Sequence, residues 1–425
     1  MSKRLIEIKL QRERAFLVVV DFKDKKRDQF TFEEEREELI ELVSSSGCKV
    51  VEALKVSLER INPSLFIGKG KAEEISRLAW EKKAQVVIFN IDLSSAQQRN
   101  LEDIIGLKTI DRTQLILDIF AQHARSSAGK IQVELAQLEY LLPRLKGKGI
   151  FLSRLGGGIG TRGPGEKKLE IERRRIEERI SRLKKELENI RAHRQILRKK
   201  RKREGIFVVS LVGYTNAGKT TLLNSLTGES QKTEEALFTT LDPLVRALNL
   251  KEKVVVSDTV GFVHNLPQRL FEAFKATLEE LEYSDLLLHI VDITKGNFEK
   301  LIWTVEEILR SLSLDRKPFL YVFNKIDMLS ADALERIKGR YPQALYISAK
   351  YYQGIEPLRE KIEEKILENF LEIKISVSFS QSELLRFIYK KTQILSSEYG
   401  SDNKIKFSLR IPKEDYPQLK RLLNL

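Results

Sequence analysis

The spacing of hydrophobic and polar positions changes several times along the chain, and these changes divide it into four regions. In the first region, residues 1–128, short apolar runs alternate with amphipathic stretches. The β-branched runs 15–20 and 86–90 predict buried strands, whereas the acidic stretch 32–43 has the apolar spacing of a helix. Alternating strands and helices are typical of a small α/β domain, and we expect one here.

The second region, residues 129–204, carries two apolar stripes with heptad spacing. The first stripe consists of Ile131, Leu135, Leu138, Leu142 and Leu145. The second consists of Ile176, Ile180, Leu183, Leu187, Ile190 and Leu197. Two such helices joined by one loop pair as an antiparallel hairpin, so this region predicts a helical arm. The arm ends in a basic run, residues 198–203, which indicates either a nucleic-acid contact or a charged joint with the next domain.

The loop of this arm, residues 147–165, is rich in glycine and yet basic. Glycine lets a backbone approach another backbone closely, and basic side chains neutralise phosphates. We therefore expect the loop to bind RNA through Lys148, Arg154 and Arg162. A flexible linker is the alternative, although a linker does not need the apolar residues Phe151 and Leu152.

The third region, residues 205–369, begins with a phosphate-binding motif. The run 206–212 predicts a buried strand, and residues 213–220 (GYTNAGKT) have the spacing Gly-x4-Gly-Lys-Thr ahead of a helical stretch. In such a loop the backbone N–H groups and the helix N-terminus face the phosphates. We expect Lys219 to reach the β- and γ-phosphates and the Thr220 hydroxyl to ligate Mg²⁺. An ordinary glycine turn before a helix is the alternative.

The later motifs of this region favour guanine over adenine. Asp258 and Gly261 form an Asp-x-x-Gly sequence, in which Asp258 holds Mg²⁺ through water and the Gly261 N–H meets the γ-phosphate. Asp327 closes an Asn-Lys-x-Asp sequence and can accept hydrogen bonds from guanine N1–H and the exocyclic amine. Each motif follows a strand, where open α/β sheets bind ligands. The region therefore predicts a mostly parallel P-loop GTPase domain.

The fourth region, residues 370–425, is short and predicts a small C-terminal α/β domain. Its alternating stretch 373–379 indicates a strand, residues 382–396 a helix, and residues 404–410 a second strand. No pattern of chemically reactive side chains accompanies these elements.

Composition narrows the cellular setting. The formal net charge of +14 favours a polyanionic partner, and the single cysteine, Cys48, excludes an internal disulfide. The first residues lack the apolar core of a signal peptide, and no apolar run approaches the ~20 residues of a membrane span. We expect a cytoplasmic protein, with peripheral membrane association as an open alternative.

Three segments resemble the HflX family of translation-factor-related GTPases. They are residues 156–174, residues 95–102 and residues 111–113, and Glu172 stands where the family pattern often has Asp. The resemblance implies that residues 238–242 (FTTLD) form the first switch, with Thr240 as a second Mg²⁺ ligand. It also implies binding to the large ribosomal subunit and dissociation of stalled or idle ribosomes under stress. We expect a monomer without a DNA partner.

The residues that carry out hydrolysis are less explicit. Many GTPases position water with a Gln after Asp-x-x-Gly, but Phe262 follows here, and neither His264 nor Gln268 is a clear substitute. The candidates for catalysis are Lys219, Thr240, Gly261 and Asn216. Turnover is expected to be slow alone and stimulated by the ribosome, and the Asn216 oxygen to help hold K⁺ beside the phosphates. The residues expected to bind GTP or GDP are Gly213, Tyr214, Thr215, Asn216, Ala217, Gly218, Lys219, Thr220, Phe238, Thr239, Thr240, Leu241, Asp242, Asp258, Thr259, Val260, Gly261, Asn324, Lys325, Ile326, Asp327, Ser348, Ala349 and Lys350.

Two other functions are compatible with parts of the pattern. One is a regulatory GTP-binding module that acts on free RNA or on a protein partner through a coiled-coil arm. The other is an ATP-dependent RNA remodeller, which Asp327 and the single phosphate-binding loop disfavour.

Overall fold

A computed structural model of the chain describes residues 12–23, 30–145, 164–228, 244–250, 252–265, 267, 270–271, 278–400, 403–413 and 415–423. Within these ranges, the side chains of residues 164–169, 202, 203 and 279 are not described.

The N-terminal domain is a four-stranded parallel sheet with helices on both faces. Its elements are β1 (Arg14–Phe22), α1 (Phe32–Ser45), β2 (Lys49–Leu58), α2 (Lys69–Glu81), β3 (Val86–Phe89), α3 (Ser95–Ile105), β4 (Lys108–Ile110) and α4 (Arg112–His123). The strand order is β2-β1-β3-β4. Because successive side chains of a strand point to opposite faces, Leu17 and Val19 of β1 pack with α1 and α4, whereas Phe16 and Val18 pack with α2 and α3. A parallel sheet covered on both faces explains why β1 is apolar without alternation.

The first helix, α1, presents an acidic surface, and its sequence fixes where it begins. Thr31 and Glu34 form a capping box, in which each side chain accepts a hydrogen bond from the other residue's backbone N–H. Glu33, Glu34 and Glu35 lie in the first turn, where carboxylates interact favourably with the helix dipole. The helix ends at Ser45, and its acidic side faces the GTPase domain, as Lys300 shows by pairing with Glu34 at 2.9 Å.

The arm is an antiparallel pair of helices of unequal length, α5 (Ser127–Leu145) and α6 (Pro164–Arg203). The seam between them consists of Ile131, Leu135, Leu138, Leu142, Ile176, Ile180, Leu183 and Leu187. Ile190 and Leu197 do not belong to this cluster, because the 40-residue α6 extends beyond the 19-residue α5 towards the next domain. Leu145, the last residue of α5, also lies outside the cluster. The tip of the arm, residues 146–163, lies outside the described residues. Neither α6 nor any other helix of the described residues is long and apolar enough to span a membrane.

The GTPase domain, or G domain, is a six-stranded sheet with the order β10-β9-β8-β5-β7-β6. Its elements are β5 (Phe207–Gly213), α7 (Lys219–Thr227), β6 (Leu244–Asn249), β7 (Lys253–Asp258), β8 (Leu286–Asp292), α8 (Phe298–Ser311), β9 (Phe319–Asn324), α9 (Ala331–Arg340), β10 (Leu345–Tyr346) and α10 (Ile355–Leu367), with 3-10 turns at Glu279–Tyr283 and Ile326–Met328. All neighbouring strands are parallel except β6 and β7. The carboxyl ends of β5, β7, β8 and β9 therefore meet at one edge of the sheet.

The C-terminal domain is a three-stranded antiparallel sheet with the order β11-β13-β12 and two helices. Its elements are β11 (Phe370–Ser378), α11 (Ser382–Lys391), β12 (Gln393–Tyr399), β13 (Lys404–Pro412) and α12 (Tyr416–Leu422). The helix predicted over residues 382–396 is too long, because its last part forms β12 and pairs with β13. The predicted fold class, a P-loop GTPase domain between two smaller α/β domains, is confirmed.

Candidate nucleotide-binding site

The phosphate-binding loop joins β5 to α7, and two of its glycines have no room for a side chain. A Cβ on Gly213 would lie 2.3 Å from the carbonyl oxygen of Ile290. Gly218 has a φ of +92°, and a Cβ there would lie 2.2 Å from Asn324 Nδ2. The loop is therefore packed directly on β8 and β9, and only glycine fits these two positions.

Lys219, the first residue of α7, is folded over this loop. Its Nζ donates hydrogen bonds to the carbonyl oxygens of Gly213 at 3.1 Å and Tyr214 at 2.8 Å. Burial lowers the pKa of Lys219 to about 8, although the nearby Asp258 charge opposes the shift. Beneath it, burial and the Lys219 charge lower the pKa of His289 to about 3, so His289 is neutral at physiological pH. A buried ammonium with so few anionic neighbours suits a phosphate-bearing ligand.

The next residue, Thr220, and the last residue of β7, Asp258, bring two hard oxygen ligands together. The Thr220 hydroxyl donates a hydrogen bond to Asp258 Oδ2 at 2.7 Å, and Asp258 is fully buried. Mg²⁺ prefers hydroxyl and carboxylate oxygens and commonly uses only one or two protein ligands, keeping several waters. This pair therefore fits a Mg²⁺ ion that accompanies a nucleotide. The second predicted Mg²⁺ ligand, Thr240, lies outside the described residues, as do Phe238, Thr239, Leu241 and Asp242.

Gly261 lies against the phosphate-binding loop and beside the Lys219 ammonium. A Cβ on Gly261 would lie 2.7 Å from Thr215 Cγ2 and 3.0 Å from Lys219 Nζ. The following residue, Phe262, is buried and pairs with the loop through two backbone hydrogen bonds. Its N–H donates to Gly213 at 3.1 Å, and its carbonyl accepts from the Thr215 N–H at 2.8 Å. The backbone after Asp-x-x-Gly is thus fixed onto the loop of residues 213–220.

His264 and Gln268 were the two polar residues considered as water-positioning groups. The ring of His264 stacks on Phe30 of the N-terminal domain with a centroid distance of 3.8 Å. This contact directs the ring towards another domain, and nothing in the geometry gives His264 a catalytic role. Gln268 lies outside the described residues.

The guanine motif at the end of β9 is connected to the phosphate-binding loop by Asn324. Its Nδ2 donates to the Ala217 carbonyl at 2.9 Å, and its Oδ1 accepts from the Ala349 N–H at 3.0 Å. Asn324 is buried, whereas Asp327 is exposed in the 3-10 turn that follows. Asn324 thereby links the loop for the phosphates to the two segments predicted to read guanine.

Lys325 is held by a residue that the sequence motifs did not single out. It adopts a left-handed conformation with a φ of +69°, and its Nζ lies 2.6 Å from Asp292 Oδ2 at the end of β8. In the sequence, Asp292 could have been recognised by its position at the carboxyl end of a predicted strand. Ser348 is buried and Lys350 exposed at the remaining guanine segment. The other predicted residues that the structure describes, Asn216, Thr259, Val260 and Ile326, belong to the same loops.

A mostly parallel sheet that carries Gly-x4-Gly-Lys-Thr, Asp-x-x-Gly and Asn-Lys-x-Asp at one edge defines a P-loop GTPase. Three family descriptions match consecutive parts of the chain. They are "GTP-binding GTPase N-terminal" over residues 33–121, "GTP-binding GTPase Middle Region" over residues 123–201, and "50S ribosome-binding GTPase" over residues 208–325.

Full-length relatives give the family. The chain is 44% identical over 395 residues to GTPase HflX of Caldanaerobacter subterraneus subsp. tengcongensis, which covers 92% of this chain and 90% of the relative. It is 38% identical over 397 residues to GTPase HflX of Escherichia coli K12, with coverage of 92% and 93%. The chain belongs to the HflX family of GTPases, which confirms the predicted resemblance and the enzyme class.

Among solved structures, the chain is similar to that of a GTP-binding protein from the archaeon Sulfolobus solfataricus in complex with GDP. It is 29% identical, covers 84% of this chain and 99% of its own, and has a TM-score of 0.44.

Proposed function

We propose that GTP and GDP bind along the edge where β5, β7, β8 and β9 end. The phosphates lie in the loop of residues 213–220 and at Gly261, and the guanine lies between Asn324 and Asp327 and the segment 348–350. The observation that carries this assignment is the position of Asn324. Its two hydrogen bonds join the Ala217 carbonyl of the phosphate loop to the Ala349 N–H, so one nucleotide can span both sets of residues.

In this proposal the chain's own residues position the triphosphate. Lys219 turns its Nζ from the loop carbonyls to the β- and γ-phosphates, where the anionic charge opposes the lowering of its pKa by burial. The Gly261 N–H contacts the γ-phosphate, and Thr240 closes over it from the first switch. Thr220 and Thr240, and Asp258 through water, would hold a Mg²⁺ ion, which would neutralise charge on the phosphates. Loss of the γ-phosphate releases Thr240 and Gly261, which makes the nucleotide a switch.

Asn216 is the proposed ligand of a K⁺ ion beside the β- and γ-phosphates. It has a φ of +61°, a left-handed conformation that a short polar residue tolerates within the loop. A monovalent cation at this point would stabilise the charge that develops during transfer, as an arginine finger does. Hydrolysis is expected to be faster in K⁺ than in Na⁺ buffer, and Asn216→Ala to remove the difference. Equal rates in the two salts for the unmodified protein would contradict the proposal.

The proposed partner is the large ribosomal subunit, reached through the tip of the arm. Lys148, Arg154 and Arg162 are the proposed RNA contacts, and they lie outside the described residues. The support comes from the net charge of +14, the arm geometry and the family description that names 50S ribosome binding. The finer role, dissociation of stalled or idle ribosomes under stress, is part of the same proposal.

The arm is also joined to the G domain in a way that suits signalling from its tip. We call residues 258–264, which begin with Asp-x-x-Gly, the second switch. Arg194 and Arg198 of α6 lie 3.4 Å and 3.3 Å from Glu280 Oε1, in the 3-10 turn Glu279–Tyr283 that follows this switch in the chain. The Arg198 guanidinium lies over the Tyr283 ring at 4.0 Å from its centroid. This part of the basic stretch therefore forms a joint between domains. The alternative of a partner bound through the coiled coil loses support, because the seam of the arm is filled by α5.

Co-sedimentation with purified large subunits tests the proposal. Binding of the protein to the subunits is measured with a non-hydrolysable GTP analogue and with GDP, each at about 50 and 200 mM salt. We expect tighter binding with the analogue and a steep loss at the higher salt. Replacing Lys148, Arg154 and Arg162 by Ala should weaken binding about tenfold or more and flatten the salt dependence. The matched control replaces Arg336, Lys338 and Arg340 of α9, which removes the same charge from the G domain. Equal effects of both triple variants, or equal binding with the analogue and with GDP, would contradict the proposed role of the ribosomal subunit.

A further inference from the structure

A buried polar network connects the N-terminal domain to both sides of the nucleotide site. Glu38 of α1 accepts hydrogen bonds through Oε1 from the Tyr214 hydroxyl and, at 3.2 Å, from the His264 N–H. The His264 N–H also lies 2.7 Å from the Tyr214 oxygen. Glu38 Oε2 accepts from Arg112 at 2.8 Å, and Arg112 in turn donates to the His264 carbonyl at 2.7 Å. Three segments far apart in sequence therefore meet at one carboxylate.

The burial of the network indicates that it is a fixed part of the structure. Glu38 is 7% exposed and Arg112 is 4% exposed. Burial, together with the Glu38 carboxylate, raises the pKa of Tyr214 well above its ordinary value, so its hydroxyl remains a donor. A charge pair with additional hydrogen bonds on both partners is the arrangement in which buried ions are tolerated.

Apolar contacts reinforce the same connection. Val260, Val263 and Leu270, which flank Gly261 and extend beyond it, belong to the same hydrophobic cluster as Leu39 and Leu42 of α1. The second switch is therefore packed into the core of the N-terminal domain as well as onto its own sheet.

In the nucleotide site proposed above, on which this inference rests, the network holds the residues on either side of the γ-phosphate position. Tyr214 lies in the phosphate-binding loop, and its carbonyl accepts the hydrogen bond from Lys219. His264 comes three residues after Gly261, and Phe262 between them pairs with the loop backbone. Fixing Tyr214 and His264 to one carboxylate fixes the separation between Lys219 and the Gly261 N–H.

We propose that Glu38 is a positioning residue for GTP hydrolysis, acting through Tyr214 and His264 to hold the phosphate-binding loop and the second switch in register. Glu38 is not among the residues proposed to contact the nucleotide or Mg²⁺. Arg112 holds the Glu38 carboxylate in place. The N-terminal domain thus completes the geometry of the G domain from outside it, and the network affects the step that needs the γ-phosphate more than the binding of GDP.

The decisive variant is Tyr214→Phe, because it removes one hydroxyl and leaves the ion pair of Glu38 and Arg112 intact. Glu38→Gln also tests the network, but it leaves the buried Arg112 without its charge partner and can unfold the domain. Tyr341→Phe is the matched control. Its hydroxyl also donates to a glutamate, Glu299 Oε1 at 3.1 Å, but on an exposed part of the G domain.

The full-length protein is assayed by single-turnover GTP hydrolysis with Mg²⁺ present, GDP affinity and thermal unfolding. In Tyr214→Phe we expect hydrolysis to fall about tenfold, because a small displacement of reacting groups is costly. GDP affinity should stay within about twofold, and the unfolding midpoint within about 3 °C. If Glu38→Gln folds, the double variant should be no slower than the slower single variant, since both changes break one network.

Two results would overturn the proposal. One is hydrolysis by Tyr214→Phe at the rate of the unmodified protein or of Tyr341→Phe. The other is a loss of GDP affinity equal to the loss of hydrolysis, which would show that the hydroxyl only maintains the loop.

Discussion

At the scale of single residues, two glycines and a lysine shape the phosphate-binding loop, and Glu38 of the N-terminal domain ties this loop to the backbone after Gly261. The spacing of Gly213, Gly218 and Lys219 was enough to predict the phosphate-binding loop, because the glycines of the motif stand where the backbone has no room for a side chain. Glu38 could not be found in this way. It lies 176 residues from Tyr214 in the chain, and in sequence it is one of many glutamates in an acidic helix.

Gly261 is the residue whose replacement most directly tests the proposed γ-phosphate contact. In Gly261→Ala the new methyl group would meet Thr215 Cγ2 at 2.7 Å, so the N–H must move away from the loop. We expect single-turnover hydrolysis to fall about 100-fold, the typical effect of a lost transition-state donor, with GDP affinity little changed. Gly296→Ala, where a Cβ meets nothing within 4 Å, is the control. An active Gly261→Ala variant would show that another group contacts the γ-phosphate.

Replacing Asp327 tests whether the site selects guanine through this carboxylate. Asp327→Asn replaces a carboxylate that accepts two hydrogen bonds by an amide that donates one, so GDP affinity should fall by about 100-fold or more. Xanthosine diphosphate, whose base has a carbonyl in place of the exocyclic amine, should bind the variant better than GDP does. Asp332→Asn, an exposed position of α9, makes the same chemical change nearby. Calorimetric titration measures all three proteins. Unchanged GDP affinity in Asp327→Asn would remove this residue from the site.

At the scale of helices and strands, periodicity predicted most elements, and the errors have tertiary causes. The heptad stripe gave the arm and its seam, but it continued to Ile190 and Leu197, where α5 no longer covers α6. The apolar spacing within one helix does not show where its partner helix ends. Similarly, residues 393–396 were predicted as the end of a helix, but they form the first part of β12 because β13 pairs with this strand along its length, with one register shift between Ile394 and Ser396.

The seam of the arm is expected to contribute measurable stability. Leu183 is fully buried between α5 and α6, so Leu183→Ala should lower the free energy of local unfolding of the arm by about 2–4 kcal/mol. Ile196→Ala, on the same helix at 65% exposure, should change it by less than about 0.5 kcal/mol. Hydrogen exchange of the amides in α5 and α6 measures both effects. Equal protection of the two variants would contradict the packing described for this seam.

At the scale of the whole molecule, each additional domain is tied to the G domain by a polar side-chain contact. The N-terminal domain is tied by Glu38 to the phosphate-binding loop and the second switch. The arm is tied by Arg198 to Glu280 after that switch, and the C-terminal domain by Arg410 to Glu252 at the turn between β6 and β7. The motifs predicted that a switch exists, but these connections needed the structure, because they join surfaces of separate domains.

The joint at the base of the arm should carry ribosome stimulation without affecting the unstimulated reaction. In Arg198→Ala we expect turnover alone to stay within about twofold, while the stimulation by large subunits falls about tenfold, the size of a typical coupling energy. Arg182→Ala removes the same charge from an exposed position of α6 and should behave like the unmodified protein. Steady-state phosphate release gives both rates. If Arg198→Ala retained full stimulation, the signal would have to pass by another route.

We propose that the large ribosomal subunit activates this GTPase. The most direct test is GTP turnover by the purified protein in K⁺ buffer with Mg²⁺, with and without purified large subunits. We predict slow turnover alone and an increase of about tenfold or more with subunits, as partner-supplied activation gives in other P-loop GTPases. Turnover that is unchanged by subunits, in protein that still binds GTP and GDP, would contradict the claim and leave the chain as a GTPase with a different partner.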